Sequence, residues 1–297
     1  MHDVYAYGVI AASTVVELES AYPEEAGYAE IRRVHRAFGG EAAGGAHVLA
    51  RLGIPTKLVG SLLGTDGAAD RAVELLSDAG VDCSGIAQVE GSGVTELIVS
   101  SGAERTIFAT YGEMLAERAW VKPERSDVSA SKVVCLDSFF GDDSEQVAEW
   151  CLQDGIPYVT VDAPPEAMVT EHATAIVVSG EYASSNFEAE PEDVLQEYAS
   201  RCGGLAILTQ GAGPALFRRG SGRTREMPPF DVPVVDTMGA GDSFRAGVAL
   251  GILRGLDDAE TVRTASAIAA MVCQTVPGVL GSPTPADLAA FLSSRGG

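Results

Sequence analysis

The sequence predicts an α/β fold: a mostly parallel sheet flanked by helices and carrying a small β-sheet lid. Short apolar runs alternate with stretches of helical periodicity from one end of the chain to the other, the order expected when parallel strands are joined by helices packed on the sheet. A length of 297 residues with 46% hydrophobic content is enough to bury one large core. Two stretches, residues 13–37 and 92–111, break the rhythm. They read as strands with no crossover helix, the second running ELIVSS, then RTIFAT, around a Ser-Gly-Ala turn.

In chain order, strands are expected at residues 4–10, 56–61, 132–136, 158–161, 175–178 and 205–209, each an apolar run. Helices are expected at 66–79, 143–154, 191–201, 240–254, 259–274 and 285–293, where apolar residues recur at helical spacing. Joining the two irregular stretches into one lid, inserted twice, divides the chain into a core of residues 1–12, 38–91 and 112–297 and a lid of residues 13–37 and 92–111. No internal repeat or low-complexity stretch is present.

Charge excludes several classes of function. The 42 acidic residues face 20 basic ones, for a formal charge of -22, and the lysines are Lys57, Lys122 and Lys132. Such a field repels nucleic acid and anionic membrane surfaces, whose binding needs clustered Lys or Arg. Its plainest meaning is a solvated surface suited to solubility or to a salty cytosol. No apolar run reaches the roughly 18 residues that cross a bilayer, and MHDVYAYGVI lacks the basic flank and cleavage site of a secretory signal, so a cytoplasmic location is expected. Cys83, Cys135, Cys151, Cys202 and Cys273 are scattered, with no C-x-x-C pair, as buried small hydrophobes in a reducing compartment would be.

Chemistry concentrates in Asp236-Thr237-Met238-Gly239-Ala240-Gly241-Asp242-Ser243-Phe244, which follows the apolar run VPVV, read as a strand, and opens a long helix. Glycines let the backbone turn tightly there, and the first amides of a helix lack intrahelical partners, so the backbone of Gly239, Ala240 and Gly241 makes an anion cradle. The helix dipole adds about half a positive charge, which suits a phosphoryl group gathering charge during transfer. Asp242, in the first turn, is placed to accept the proton of an attacking hydroxyl. A bare G-A-G-D also has a simpler reading, as relief of crowding beside a favourable first-turn acid. No G-x-G-x-x-G follows an expected strand, and G-x-x-x-x-G-K-[ST], G-x-S-x-G and H-E-x-x-H are absent, which sets aside dinucleotide, P-loop, hydrolase and zinc-protease readings.

The segment Gly39-Gly40-Glu41-Ala42-Ala43-Gly44-Gly45-Ala46, running into HVLARLG and on through IPTKLVGSLLGTDGAADRAVELLSDAGVD, resembles the N-terminal signature of the ribokinase, or PfkB-type, carbohydrate kinases. Residues Asp236 to Phe244 resemble that family's C-terminal signature. Looser similarity lies in Glu104-Arg105-Thr106, Leu208-Thr209-Gln210-Gly211 and Gly278-Val279-Leu280-Gly281-Ser282. The resemblance implies a ribokinase-like fold with a β lid, ATP and Mg2+ as cofactors, and transfer of the γ-phosphoryl group to a hydroxyl of a small, sugar-like acceptor. It implies Asp242 as general base and Gly239, Ala240 and Gly241 as the anion hole. Thr209, Gly211 and Gly241 are expected to hold the nucleotide, although a plain hairpin would also explain the glycine-rich turn. Asp236, Gly278 and Ser282 match a loop pair where some members bind a monovalent cation such as K+; hydrogen bonds alone could steady the same loops. Lids of this family often pair between subunits, which implies a homodimer.

For the acceptor, the matching positions are Ser13, Gly39, Gly40, Glu41, Gly44, Asp137 and Asp242. Asp137 matches an acid that faces sugar hydroxyls in several members, and it also reads as a capping or loop acid. The chain departs from the family where Ala11 and Ser13 stand for an Asn and an Asp, Glu41 for Lys or Asn, and Gly44 for Asn. An N-x-x-E element is reduced to Gly180-Glu181-Tyr182-Ala183. With those polar partners missing, ribose is expected to be a poor acceptor. Glu41 and Asp137 favour a donor-rich or cationic acceptor over a carboxylated or phosphorylated one, unless Glu41 turns to solvent. A nucleoside kinase, or a catalytically silent binding protein on the same fold, are the alternatives.

Overall fold

The computed structural model describes residues 2–91, 93–101 and 104–295. Its strands are β1 (Val4–Gly8), β2 (Ala11–Leu18), β3 (Ile31–Gly39), β4 (Thr56–Gly60), β5 (Asp82–Gly85), β6 (Thr95–Ser101), β7 (Glu104–Ala109), β8 (Val133–Asp137), β9 (Tyr158–Val161), β10 (Ala175–Ser179), β11 (Leu205–Thr209), β12 (Ala215–Arg219) and β13 (Arg225–Met227). Among the described residues these form a nine-stranded sheet in the order β13-β12-β11-β10-β9-β8-β1-β4-β5 and a four-stranded sheet in the order β3-β2-β6-β7. The large sheet is parallel from β5 to β11 and closes with two antiparallel edge strands.

Central strands are apolar on both faces because both faces are covered. In β1, Val4 and Ala6 join one core, with Leu49, Leu58 and Val248, while Tyr5 and Tyr7 join the other, with Val147, Leu195 and Tyr198. The same alternation runs through β8, where Val133 and Cys135 face one layer and Val134 and Leu136 the other.

The helices are α1 (Glu41–Arg51), α2 (Gly67–Asp78), α3 (Tyr111–Glu117), α4 (Arg125–Ser129), α5 (Asp142–Asp154), α6 (Met168–Glu171), α7 (Gly180–Asn186), α8 (Pro191–Arg201), α9 (Ala240–Arg254), α10 (Asp258–Val272) and α11 (Pro285–Ser294). The expected long strands and helices lie within two residues of these bounds, and none of the described helices is long and apolar enough to cross a membrane.

Three features differ from the expectation. Helix α1 was legible only as a glycine-rich motif, because Gly44 and Gly45 each lower helix propensity by about 1 kcal/mol. Burial of Ala42, Ala43, Ala46, Val48 and Leu49 outweighs that deficit. VPVV is not a strand: Pro233 has no N–H to give a ladder, and the amides of Val235 and Asp236 bond instead to the Cys273 carbonyl, at 2.8 and 3.2 Å. Of the Ser-Gly-Ala turn, Gly102 and Ala103 lie outside the described residues.

Helix α9 carries the Gly239 to Asp242 motif at its start and is buried from Ser243 to Gly251 between α1 and α10. It can be so enclosed because its contact with α10 uses small residues: a Cβ on Gly247 would sit 2.4 Å from the Ala265 Cα. Gly247→Val should therefore force α9 and α10 apart and lower stability by about 1–3 kcal/mol, the usual cost of overpacking a tight core. Chemical denaturation with an unchanged slope would measure it; wild-type stability would show that the crossing has slack.

Candidate active site

Loop residues 236–239 are held to the loop after α10 by one carboxylate. Asp236 Oδ1 accepts from the Met238 amide and Oδ2 from the Gly278 amide, both at 3.0 Å. Gly239 then turns with φ +74, a conformation that L side chains rarely adopt, and a Cβ there would lie 2.8 Å from the Val279 Cβ. This delivers Ala240, Gly241 and Asp242 as the first turn of α9. The Ala240 amide already donates to the Thr237 carbonyl at 3.2 Å, while Gly241 is exposed.

The residues expected to hold a monovalent cation are tied into these loops by hydrogen bonds. Besides the Asp236 bonds, the Gly278 carbonyl accepts from Thr275 Oγ1 at 3.2 Å, and Ser282 Oγ donates to the Val279 carbonyl. These loops close by direct hydrogen bonds, and neither the Asp236 carboxylate nor the Ser282 hydroxyl is left without a partner.

On one side of Gly241 opens a cavity of about 440 Å³, lined by Thr209, Gln210, Gly211, Phe230, Ala240 and Phe244 among others. It brings Thr209, Gly211 and Gly241 together as expected. Ser266 and Cys273 also border it, as does Phe230, and nothing in their sequence context marks them. The lining is mainly apolar, which suits the flat faces of a nucleobase.

On the other side, the expected acceptor residues gather around Asp242. Gly40, with φ +86, turns β3 into α1, and Gly39 packs against the Glu96 carboxylate. Ser13 Oγ donates to Glu96 Oε1, and the Tyr111 hydroxyl donates to Glu96 Oε2 at 2.5 Å. Glu96 and Tyr111 were missed in the sequence; Glu96 stands beside Ser13 only because β2 and β6 pair in parallel in that register. Gly44 contributes space: a Cβ would fall 2.6 Å from Asp242 Oδ2.

Asp137 does not face an acceptor. It is fully buried, with Oδ2 accepting from the Val9 amide at 2.8 Å and Oδ1 bound by Arg245 Nη1. The physical reason is Arg245, one helical turn after Asp242, whose buried guanidinium claims the nearest carboxylate. Glu41 does not turn to solvent either: its Oε2 is buried and makes no hydrogen bond. Burial, with Asp137 and Asp242 nearby, pushes the Glu41 carboxyl far above its ordinary range. Burial likewise raises Asp242, helped by Asp137 and Glu96 and opposed by Arg245 and Arg105.

The small sheet lies over this arrangement. Val15, Ala37 and Ile98 pack on Met238, and Arg105 Nη1 donates to Thr237 Oγ1 at 2.8 Å. Its second nitrogen reaches Glu181 at 3.5 Å, the acid of the reduced N-x-x-E element, which is otherwise largely exposed.

A parallel sheet, an apolar cavity at a helix start and an acid beside it are parts that a phosphotransferase acting on a small molecule would use. The model of the pfkB family carbohydrate kinases matches residues 1–285. The chain belongs to that family. It is similar to an ATP-dependent ribose-1-phosphate kinase of Halopiger xanaduensis, 30% identical over 286 residues, or 92% of each chain. Among solved structures it resembles the ribokinase of Arabidopsis thaliana complexed with ribose and ATP, with TM-score 0.80, 19% identity and 98% of each chain covered. It also resembles a Burkholderia thailandensis nucleoside kinase in complex with inosine, with TM-score 0.78 and 20% identity, covering 99% of this chain and 98% of that one.

A raised carboxyl in the folded state binds its proton more tightly than in the unfolded chain. Its contribution to stability is therefore full below the unfolded value, near 4.3 for Glu, and is lost as pH rises through the folded one. Glu41→Gln should be more stable than wild type at pH 8, with the difference shrinking toward pH 4. Urea titrations of both proteins across this range would test it, and a constant difference would show that Glu41 reaches water.

Proposed function

We propose that the protein transfers the γ-phosphoryl group of ATP to a hydroxyl of a sugar or sugar-like acceptor, with Asp242 as general base. The observation that carries this reading is the place of Asp242, between the apolar cavity at Gly241 and the Ser13, Gly39, Glu41 and Glu96 group. The substrate is ATP with Mg2+, the ion offsetting an acidic protein's repulsion of the triphosphate. The nucleoside end occupies the cavity beside Thr209 and Gly211, and the phosphates lead to the amides of Gly239 and Gly241. The acceptor hydroxyl gives its proton to the Asp242 carboxylate as its oxygen bonds to the γ-phosphorus. The bond from that phosphorus to the bridging oxygen breaks, and ADP leaves with the electron pair.

Pairing of Asp137 with Arg245 removes one of the two acids that favoured a cationic acceptor, so phosphorylated sugars belong beside neutral ones. The relative named for ribose 1-phosphate supports including that compound. The test is ADP release with ribose, ribose 1-phosphate, fructose 1-phosphate, amino sugars, sugar acids and nucleosides. One of the sugars at about 10⁴ M⁻¹s⁻¹ or more supports the reading. A nucleoside at that efficiency moves the activity to nucleoside kinase, and no turnover with any of them favours a silent binding protein.

Asp242→Asn should lower kcat by roughly 10²- to 10⁴-fold, with little change in the KM for ATP. Because the base must be ionised and burial raises its carboxyl, the wild-type kcat should climb with pH along a limb well above the usual aspartate value near 3.9. Steady-state kinetics of both proteins decide this. A variant keeping half the wild-type rate would sink the assignment.

The small sheet acts as a lid that excludes water from the transferring group, and its outer face, exposing Val34, Leu97 and Phe108, pairs with a second copy. Deuterium exchange should show β2, β3, β6 and β7 gaining protection together when acceptor and a non-hydrolysable ATP analogue bind. Dilution should reduce protection on the same strands. Independent responses of the two stretches argue against one lid, and concentration-independent protection argues against pairing.

A further inference from the structure

Arg245 has no part in the reaction as written above, yet its side chain is 1% exposed and sits at the centre of the site. A guanidinium withdrawn from water persists only where partners replace its hydration. Here they come from two other elements. Nη1 binds Asp137 at the end of β8, and Nη2 donates to the carbonyl of Glu41 in the first turn of α1, at 2.5 Å. Asp137 passes the connection on to the Val9 amide, just after β1.

The helices are shaped to admit this bridge. Consecutive glycines of α1 face α9: Gly44 leaves room for the Asp242 carboxylate, and a Cβ on Gly45 would stand 3.6 Å from Arg245 Nη2. Arg245 follows Asp242 by three residues, so both lie on the same side of α9. The groups acting on Asp242 are Asp137 from β8, Glu96 from β6, Arg105 from β7, Tyr111 from α3, Glu41 from α1 and Arg245 itself. Of the two cations, Arg105 is exposed on the small sheet, whereas Arg245 is fixed in the core.

We infer that Arg245 is a positioning residue for phosphoryl transfer. It clamps the turn that carries Glu41 to the helix that carries Asp242, and it supplies the fixed positive charge that lets Asp242 accept a proton among three other carboxylates. This rests on Asp242 being the base, so one readout is independent of turnover.

The variants are Arg245→Met, Arg245→Lys and the double variant Asp137→Asn/Arg245→Met, which removes both buried charges. Titration of the Asp242 carboxyl is followed by ¹³C NMR of aspartate-labelled protein, its signal assigned by its loss in Asp242→Asn. In Arg245→Met the midpoint should rise by about one pH unit or more, as expected for loss of a close opposite charge. In Arg245→Lys it should stay near wild type, because the charge remains while the two-pronged geometry is lost. In the double variant it should return toward wild type, since Asp137 pushes the other way. An unmoved midpoint in folded Arg245→Met overturns the electrostatic half of the inference.

Kinetics with the best acceptor of the panel read the clamp. Arg245→Lys and the double variant should lose about tenfold or more in kcat/KM for the acceptor, with the KM for ATP changed less than about twofold. Wild-type acceptor kinetics in the double variant overturn the clamp; if Arg245→Met does not fold, the midpoint in Asp137→Asn should lie about one pH unit or more below that in the double variant, and equal midpoints overturn the electrostatic half. Wild-type protein inactive with every acceptor counts against the proposed reaction alone, because the NMR comparison still decides the role of Arg245.

Discussion

The site is organised by the burial of opposite charges where the ends of β1 and β8 meet the first turns of α1 and α9. Asp137 and Arg245 lie in the core, and neither could be there without the other: an unpaired charge at that depth would cost several kcal/mol. Pairing them fixes four pieces of backbone relative to one another, namely Val9, the Asp137 strand end, the Glu41 carbonyl and the α9 helix, although Arg245 Nε stays without a hydrogen bond. The glycine turn before α1 and the start of α9 thereby share a common anchor. That anchor is polar, directional and intolerant of slippage, unlike the apolar layers around it.

An acidic protein that binds a nucleoside triphosphate faces an electrostatic conflict. The chain resolves it by separating the chemistries. The cavity beside Gly241 is mainly apolar, with Asp231 at its wall, while Glu41, Glu96 and Asp137 gather around Asp242 on the other side. In the proposed reaction the backbone amides at the helix start would meet the phosphates with partial positive charge. Crowding the acids together also has chemical value. A carboxyl held above its ordinary range is a stronger proton acceptor once ionised, at the cost of being ionised less often.

Much of the fold was legible because each element's pattern agreed with its burial. The central strands are apolar on both faces, and the long helices keep their periodicity, so residues 158–161, 191–201 and 240–254 were read to the residue. The glycine turn that opens α9 was legible because its glycines and acid follow one another in sequence. What escaped depends on distance along the chain. Glu96 reaches Ser13 through strand register, and Asp137 meets Arg245 across 108 positions. Arg245 carried a usable signal, since a charged residue one turn beyond a first-turn acid shares its face, but the buried stripe of α9 hid it. VPVV misled because its composition is that of a strand while its proline and its bonds to Cys273 make it a loop.

Met238 belongs to the phosphate cradle by sequence and to the small sheet by contact, pressed against Val15, Ala37 and Ile98. Its amide is tied to Asp236 while its side chain is tied to the covering strands. Raising the small sheet would strip that side chain of its apolar neighbours, and lowering it again would press the cradle back into shape. If the small sheet lifts as the proposed lid, admission of an acceptor and readiness of the cradle would alternate, much as an airlock keeps one door shut while the other stands open. Such an arrangement would spare ATP from idle hydrolysis, because the moment of easiest entry for water would also be the moment when the cradle is least well held.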